Sequence, residues 1–255
     1  MNGKGEPKSM LKALGFFHFR ENVEDPIGSL ESELERKGAR EDISGSLIVL
    51  PEAFNLGAPY YPPGYPKVTG TPGDAKIPLV LAIKELREIA REWSVAFVAG
   101  LLGETYSSAY WIDQKEAPEL MCHKMGNDRT GHYLPWNGAQ GSDGKNPIEC
   151  EGACASALIC LDAVECPEET QAARERRENL MRHVKHCARP HRILCVPAQM
   201  GSQCGVPEED GVYSILANAN AISFVKNGCG MEKAPRNQGR NEICLVSPAR
   251  PEPVL

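Results

Sequence analysis

Short continuous apolar runs alternate along this chain with longer stretches in which apolar residues recur every three or four positions. The continuous runs predict strands over residues 11–19, Ser46 to Glu52 (SLIVLPE), Val95 to Glu104 (VAFVAGLLGE), Ala153 to Asp162 (ACASALICLD), Arg192 to Gln199 (RILCVPAQ) and Glu242 to Pro248 (EICLVSP). Such runs suit strands covered on both faces. Ser107 to Asp113 and Glu119 to Lys124 predict a strand pair. The spaced pattern predicts helices over Ile27 to Gly38, Lys76 to Trp93 and Pro167 to His186. The second is the clearest, with Ile77, Leu81, Ile83, Leu86, Ile89 and Ala90 at helical spacing. Tyr213 to Ala221 reads as a further helix, with a strand after it in AISFVKNG. Gly126 to Lys145 is polar, glycine-rich and loop-like. Strands alternating with helices predict a layered α/β domain, and with no repeat or low-complexity linker the simplest division is one domain over residues 1–255.

Charge narrows the partners. A net charge of -6 offers no basic surface for nucleic acid or an anionic membrane. Arg174, Arg176, Arg177, Arg182 and Lys185 interleave with Glu175 and Glu178 at helical spacing, which reads as a solvated helix face. No stretch approaches the roughly 20 apolar residues that a membrane span needs. The opening MNGKGEPKSMLKALGFF lacks the uninterrupted apolar segment of a secretory signal. A cytoplasmic protein is therefore expected, with the ten cysteines as free thiols and most of them small core residues.

Three polar residues share one kind of position. Glu52 ends SLIVLPE, Lys124 ends ELMCHK, and Cys160 lies near the end of ACASALICLD. Strand ends of layered α/β folds are where a rigid scaffold presents side chains to loops that admit substrate. The three types also make a chemical set. A thiol becomes a nucleophile when a carboxylate takes its proton. An ammonium stabilises the charge that develops on a tetrahedral intermediate. The same carboxylate then protonates the leaving group and activates water.

These segments resemble the three signature blocks of the nitrilase superfamily of carbon–nitrogen hydrolases. LIVLPEAFNLG is similar to the block of the general base, MCHKMG to that of the lysine, and ALICLDAVECPE to that of the nucleophile, in the family's order. VAFVAGLLGE, ILCVPAQM and GRNEICLVSPARPEPVL resemble the flanking segments, so the likeness spans nearly the whole chain. The resemblance implies a four-layer α-β-β-α sandwich that pairs into a homodimer, without metal or organic cofactor. It implies Glu52 as base and acid, Lys124 as oxyanion partner and Cys160 as nucleophile, with the backbone N–H of Leu161 as a second oxyanion donor. The substrate would be a small amide, N-carbamoyl compound or nitrile, hydrolysed through a cysteine thioester. Tyr60, Tyr61, Tyr133, Trp136 and Gln199 are the substrate contacts expected from their positions.

Three departures stand beside the resemblance. The family's second glutamate has no counterpart in WNGAQGSDGKNP, where Gln140 is the nearest substitute. The nucleophile block carries an extra residue, with Cys166 in place of an aromatic. YSILANANAI keeps the small residues and asparagines of a family helix but not its Arg and Glu. Such losses also fit a protein that keeps the fold as a binding or scaffold module. Other chemistries compete for the same residues. Cys150, Cys154, Cys160 and Cys166 form a loose zinc-like series, against the paired knuckles that structural zinc favours. Cys122, Cys204 and Cys229 are candidate redox thiols. His123 or His132 would serve a Cys–His pair, which leaves Glu52 and Lys124 without a role, and His183, His186 and His191 read as solvated.

Overall fold

The computed structural model describes residues 11–19, 23–57, 77–103, 107–115, 117–124, 144–150, 152–164, 171–198, 206–207, 209–219, 223–227, 230–232 and 241–248. Their strands form two six-stranded sheets. The first runs β12-β1-β2-β3-β4-β5, built from β1 (Ala13–His18), β2 (Ser46–Leu50), β3 (Ala96–Leu102), β4 (Ser107–Ile112), β5 (Glu119–His123) and β12 (Glu242–Val246). The second runs β11-β10-β9-β8-β7-β6, built from β6 (Ile148–Cys150), β7 (Ala153–Ala157), β8 (His191–Ala198), β9 (Val212–Asn218), β10 (Phe224–Asn227) and β11 (Gly230–Glu232). β1, β2 and β3 are parallel, as are β7, β8 and β9, and the outer pairings are antiparallel.

Side-chain alternation explains the layers. Leu14 and Phe16 of β1, Leu47 and Val49 of β2 and Val98 of β3 join Ala153, Ala155, Ile193 and Ile215 in one core between the sheets. The intervening Phe17, Ile48, Leu50, Phe97 and Ala99 point to the other face and join a second core. There they meet Ile27, Leu30 and Leu34 of α1 (Pro26–Gly38) and Ala82, Leu86 and Ile89 of α2 (Leu79–Trp93). Asp25 starts α1 by accepting a hydrogen bond from Gly28 N at 2.9 Å, with Pro26 at the first helical position. α3 (Gln171–His186) covers β7 and β8 from outside through Leu180 and Val184. The order of layers is α-β-β-α, as the resemblance implied. No helix of the described residues is long and apolar enough to cross a membrane.

One expected helix is a strand. The stretch read from the sequence as helical, Tyr213 to Ala221, falls largely in β9 (Val212–Asn218), which pairs with β8 in parallel from Arg192↔Val212 to Ala198↔Asn218. All seven of its residues are buried, so both faces are covered and no alternation marks it as a strand. Parallel neighbours are ordinarily joined through a helix. Between β8 and β9 the described residues contain none, and YSILANANAI is not the counterpart of the family helix. Val206 is buried, and Pro207 O accepts from Ser214 Oγ at 3.0 Å, so the connection itself lies against β9.

Candidate active site

Glu52 follows β2 by two residues, in a turn held from both sides. Ala53 takes a left-handed conformation (φ 56°), and Phe54 enters the helix-side core with ring centroids 5.3 Å from Phe19 and 6.0 Å from Phe17. Fully buried Asn55 clamps the turn to the end of β3. Its Oδ1 accepts from Leu102 N at 2.8 Å, and its Nδ2 donates to Leu102 O and Ile77 O, each at 3.0 Å. Gly100 makes room for the turn. A Cβ there would stand 2.7 Å from Glu52 Cα, 2.8 Å from Pro51 O and 2.7 Å from Pro197 Cβ, and backbone atoms cannot swing aside. Gly100→Ala is therefore expected to cost about 1–3 kcal/mol by overpacking. It should also lower Cys160 reactivity by displacing Glu52. Urea denaturation and alkylation rates test both effects, and an unchanged Gly100→Ala protein would remove this role.

Lys124 follows β5, and Lys124 Nζ donates to Glu52 Oε1 at 2.8 Å. Both side chains are nearly sealed from solvent, 8% exposed for the lysine and 2% for the glutamate. Ser107 Oγ donates to the same Oε1 at 2.9 Å. The other oxygen, Glu52 Oε2, is buried and has no hydrogen-bond partner among the described residues. Buried carboxylate oxygens are seldom left so. Burial alone would pull the Lys124 ammonium down. The negative charges of Cys160 as thiolate, Glu52 and Asp162 outweigh it, and the pKa moves upward. Lys124 thus stays charged, within electrostatic reach of all three.

Cys160 opens a short 3-10 turn (Cys160–Ala163) after β7 and is 5% exposed. Its φ is 51°, the left-handed region that disfavours any residue with a Cβ. Strain of this kind, on a sharp turn after a strand, is how folds present a nucleophile clear of the sheet. Asp162, fully buried, closes the turn with its N–H on Ile159 O at 3.0 Å. Leu161 lies inside the turn, directly after Cys160.

Two arginines brace this turn, and both correct the sequence reading of a solvated helix face. Arg176 Nη1 donates to His123 O at 2.9 Å and stands 3.8 Å from Asp162 Oδ2. It thereby bridges the residue before Lys124 and the Cys160 turn. Arg177 is 4% exposed and donates to Val164 O at 3.0 Å. The signal was available in the sequence: Ala173, Arg177, Leu180 and Val184 repeat at three- and four-residue steps, which puts Arg177 on the apolar stripe. The charges of Glu52, Lys124, Asp162 and Arg176 cancel in pairs.

His191 corrects a second solvated reading, since it begins β8 and is 3% exposed. Cys122 is fully buried and donates to Ala157 O at 3.3 Å, so it is a packed thiol. His123 Nδ1 is hydrogen-bonded to Ser108 Oγ at 2.7 Å. Among the described residues no group of three or more His, Cys, Asp or Glu side chains is placed to hold a metal. Tyr60, Tyr61, His132, Tyr133, Trp136, Gln140, Cys166, Gln199, Cys204 and Cys229 lie outside the described residues.

One buried histidine went unnoticed in the sequence. His18 ends β1 on the inner face with Leu14 and Phe16, and its Nδ1 is hydrogen-bonded to Ser223 Oγ at 2.9 Å. Burial pushes it down to about 4, only partly offset by a hydrogen bond with the Asn218 backbone. The unfolded chain binds this proton below about pH 6.5 and the folded chain only below about 4, so stability falls on acidification through that window. The loss between pH 7 and pH 4 should be about 3 kcal/mol. Unfolding free energies of wild type and His18→Gln at both pH values test it; equal slopes would rule His18 out as the source.

No family model matches the chain, and no curated protein matches its sequence. Solved structures do match. An amidase variant from Nesterenkonia sp. AN1, with acrylamide added at its active-site cysteine, is 17% identical over 94% of each chain with a TM-score of 0.57. A second variant of that amidase, described as a member of the nitrilase superfamily, is 18% identical over 95% of this chain and 93% of its own, TM-score 0.56. A third, carrying the acetamide moiety of fluoroacetamide on its cysteine, is 15% identical over 94% and 92%, TM-score 0.55. The likeness extends over 94–95% of this chain, and the chain has the α-β-β-α fold of the nitrilase superfamily.

Proposed function

We propose that the chain is a carbon–nitrogen hydrolase that cleaves a small amide through a thioester on Cys160. The observation that carries this reading is the buried Glu52–Lys124 pair at 2.8 Å, with the second carboxylate oxygen unengaged among the described residues and Cys160 on a strained turn beside it. The solved amidases with the same fold carry their adducts on a cysteine, which supports the same use of Cys160.

The steps follow from these groups. Glu52 Oε2 takes the thiol proton as Cys160 Sγ bonds to the amide carbon. The carbonyl π pair moves to oxygen, where the Lys124 ammonium and the Leu161 N–H stabilise it. The intermediate collapses, the C–N bond breaks, and the Glu52 proton leaves with the amine. Glu52 then deprotonates a water that attacks the thioester, and the proton returns to the thiolate as the acid departs. Proton transfer from Cys160 to Glu52 moves charge within a neutral set of groups and leaves its sum unchanged. Tyr60, Tyr61, Tyr133, Trp136 and Gln199 are proposed as substrate contacts, and a cytoplasmic, single-domain homodimer is the proposed working form.

Ammonia release from a panel of small amides, nitriles and N-carbamoyl compounds, with intact-mass detection of an acyl group on Cys160, tests the reading. Turnover with an adduct on Cys160 is expected. Turnover without one would overturn the covalent route, and no turnover on any compound would favour a binding module on the same fold.

A further inference from the structure

We propose that Asn146 is a positioning residue for the candidate nucleophile: its side-chain amide replaces a missing strand partner of Ala157 and ties the Cys160 turn to the strand that precedes Lys124. The inference rests on the reading of Cys160 as nucleophile.

The pairing of β6 with β7 shows why a substitute is needed. The antiparallel register runs Cys150↔Ala153, Glu149↔Cys154 and Ile148↔Ala155. Its continuation would set residue 147 beside Ser156 and residue 146 beside Ala157. Residue 147 is proline, which has no N–H, and the backbone ladder stops. The Asn146 side chain takes over. Its Oδ1 accepts from Ala157 N at 3.1 Å, and its Nδ2 donates to Ala157 O at 2.9 Å. One primary amide thus gives Ala157 the donor and acceptor that an antiparallel neighbour would supply.

Ala157 is the last residue of β7, three positions before Cys160. On its other side β8 holds the chain, with Leu158 N donating to Cys195 O at 3.1 Å. The Asn146 amide and the Cys122 thiol hold the side away from β8. The backbone around Asn146 is anchored in turn. Lys145 N donates to Leu120 O at 2.9 Å in β5, and a Cβ on Gly144 would collide with that same carbonyl. Residues 144–146 therefore lie against β5 by their backbone and grip β7 by one side chain. The distance between the Lys124 and Cys160 turns is set through this link. Asn55 grips Leu102 with the same pair of bonds at the Glu52 turn, so both turns use one device.

The test uses the full chain with Asn146→Ala and Asn146→Asp. Two quantities are read: the rate of Cys160 alkylation by iodoacetamide across pH, and amide hydrogen exchange over residues 155–162. In Asn146→Ala the alkylation rate should fall roughly 10- to 100-fold, as small misplacements of reacting groups do. Exchange should rise over 155–162 while α1 and α2 stay protected. Asn146→Asp regains both bonds only when its carboxyl is protonated, so protection over 155–162 should return as pH falls, a recovery that Asn146→Ala cannot show. If Asn146→Ala does not fold, the acid-dependent recovery in Asn146→Asp carries the test alone, and its absence overturns the proposal. Wild-type reactivity and protection retained in Asn146→Ala overturn the proposal and leave the nucleophile standing. A wild-type Cys160 that resists alkylation overturns the nucleophile reading and this role with it.

Discussion

Cys160→Ala and Cys160→Gly should both abolish amide turnover, and the glycine variant should be the more stable by about 1 kcal/mol. The nucleophile is irreplaceable in the proposed route, because the thioester forms on its sulfur. Removal of a nucleophile typically leaves only the catalysis that binding and oxyanion stabilisation supply, a loss of roughly 10³-fold or more. Stability separates the two variants for a different reason. At φ 51° a Cβ crowds the following carbonyl, which costs about 1–2 kcal/mol, and alanine retains that Cβ. Glycine lacks it, and the relief exceeds the extra entropy that glycine loses on folding. The ordering of urea midpoints decides the point. If Cys160→Ala is as stable as Cys160→Gly, the turn stores no strain. If either variant retains turnover, Cys160 is not the nucleophile.

Lys124→Met should be the most destabilising single change at the site, at about 3–5 kcal/mol. It strands Glu52, 1% exposed, with only Ser107 to share its charge among the described residues. Turnover should fall about 100-fold or more with the loss of the proposed oxyanion partner. The informative comparison is the double variant Lys124→Met with Glu52→Leu. Two apolar side chains of similar volume need no solvation, so most of the lost stability should return while activity stays absent. A double variant no more stable than Lys124→Met would mean that the lysine's packing, rather than the stranded carboxylate, sets the cost. The raised pKa of Lys124 gives this pair a pH signature too. Its contribution is complete below the unfolded lysine value near pH 10.4 and is lost only as pH climbs above it.

The layers of the fold were legible because most elements carry one clear period or one unbroken apolar run. α2 announces itself through Leu86, Ile89 and Ala90, and β2 through five consecutive buried residues. β9 was misread because Val212–Asn218 is buried on both faces and carries alanine and asparagine, which fit neither period. The three candidate catalytic residues were found as strand-end residues within recognisable blocks. What holds them was not visible. The contacts of Ser107 with Glu52, Arg176 with His123 and Asn146 with Ala157 join distant parts of the chain through single polar side chains, and polar residues have no periodicity to betray them. Arg177 is the exception, since its place on the stripe with Leu180 was readable.

The order in which the strands are made differs from the order in which they pair. β12 lies beside β1, with Leu14 opposite Val246, while the other edge of β1 pairs with β2 through Leu14 and Leu47. A ribosome adds about 5–20 residues per second, so one edge of β1 waits on the order of ten seconds or more for its neighbour to emerge. During that interval the first sheet is open beside Phe16 and Phe17, and it can recruit the wrong strand. Slower elongation or higher temperature should therefore lower the soluble yield of this protein before it affects the finished fold.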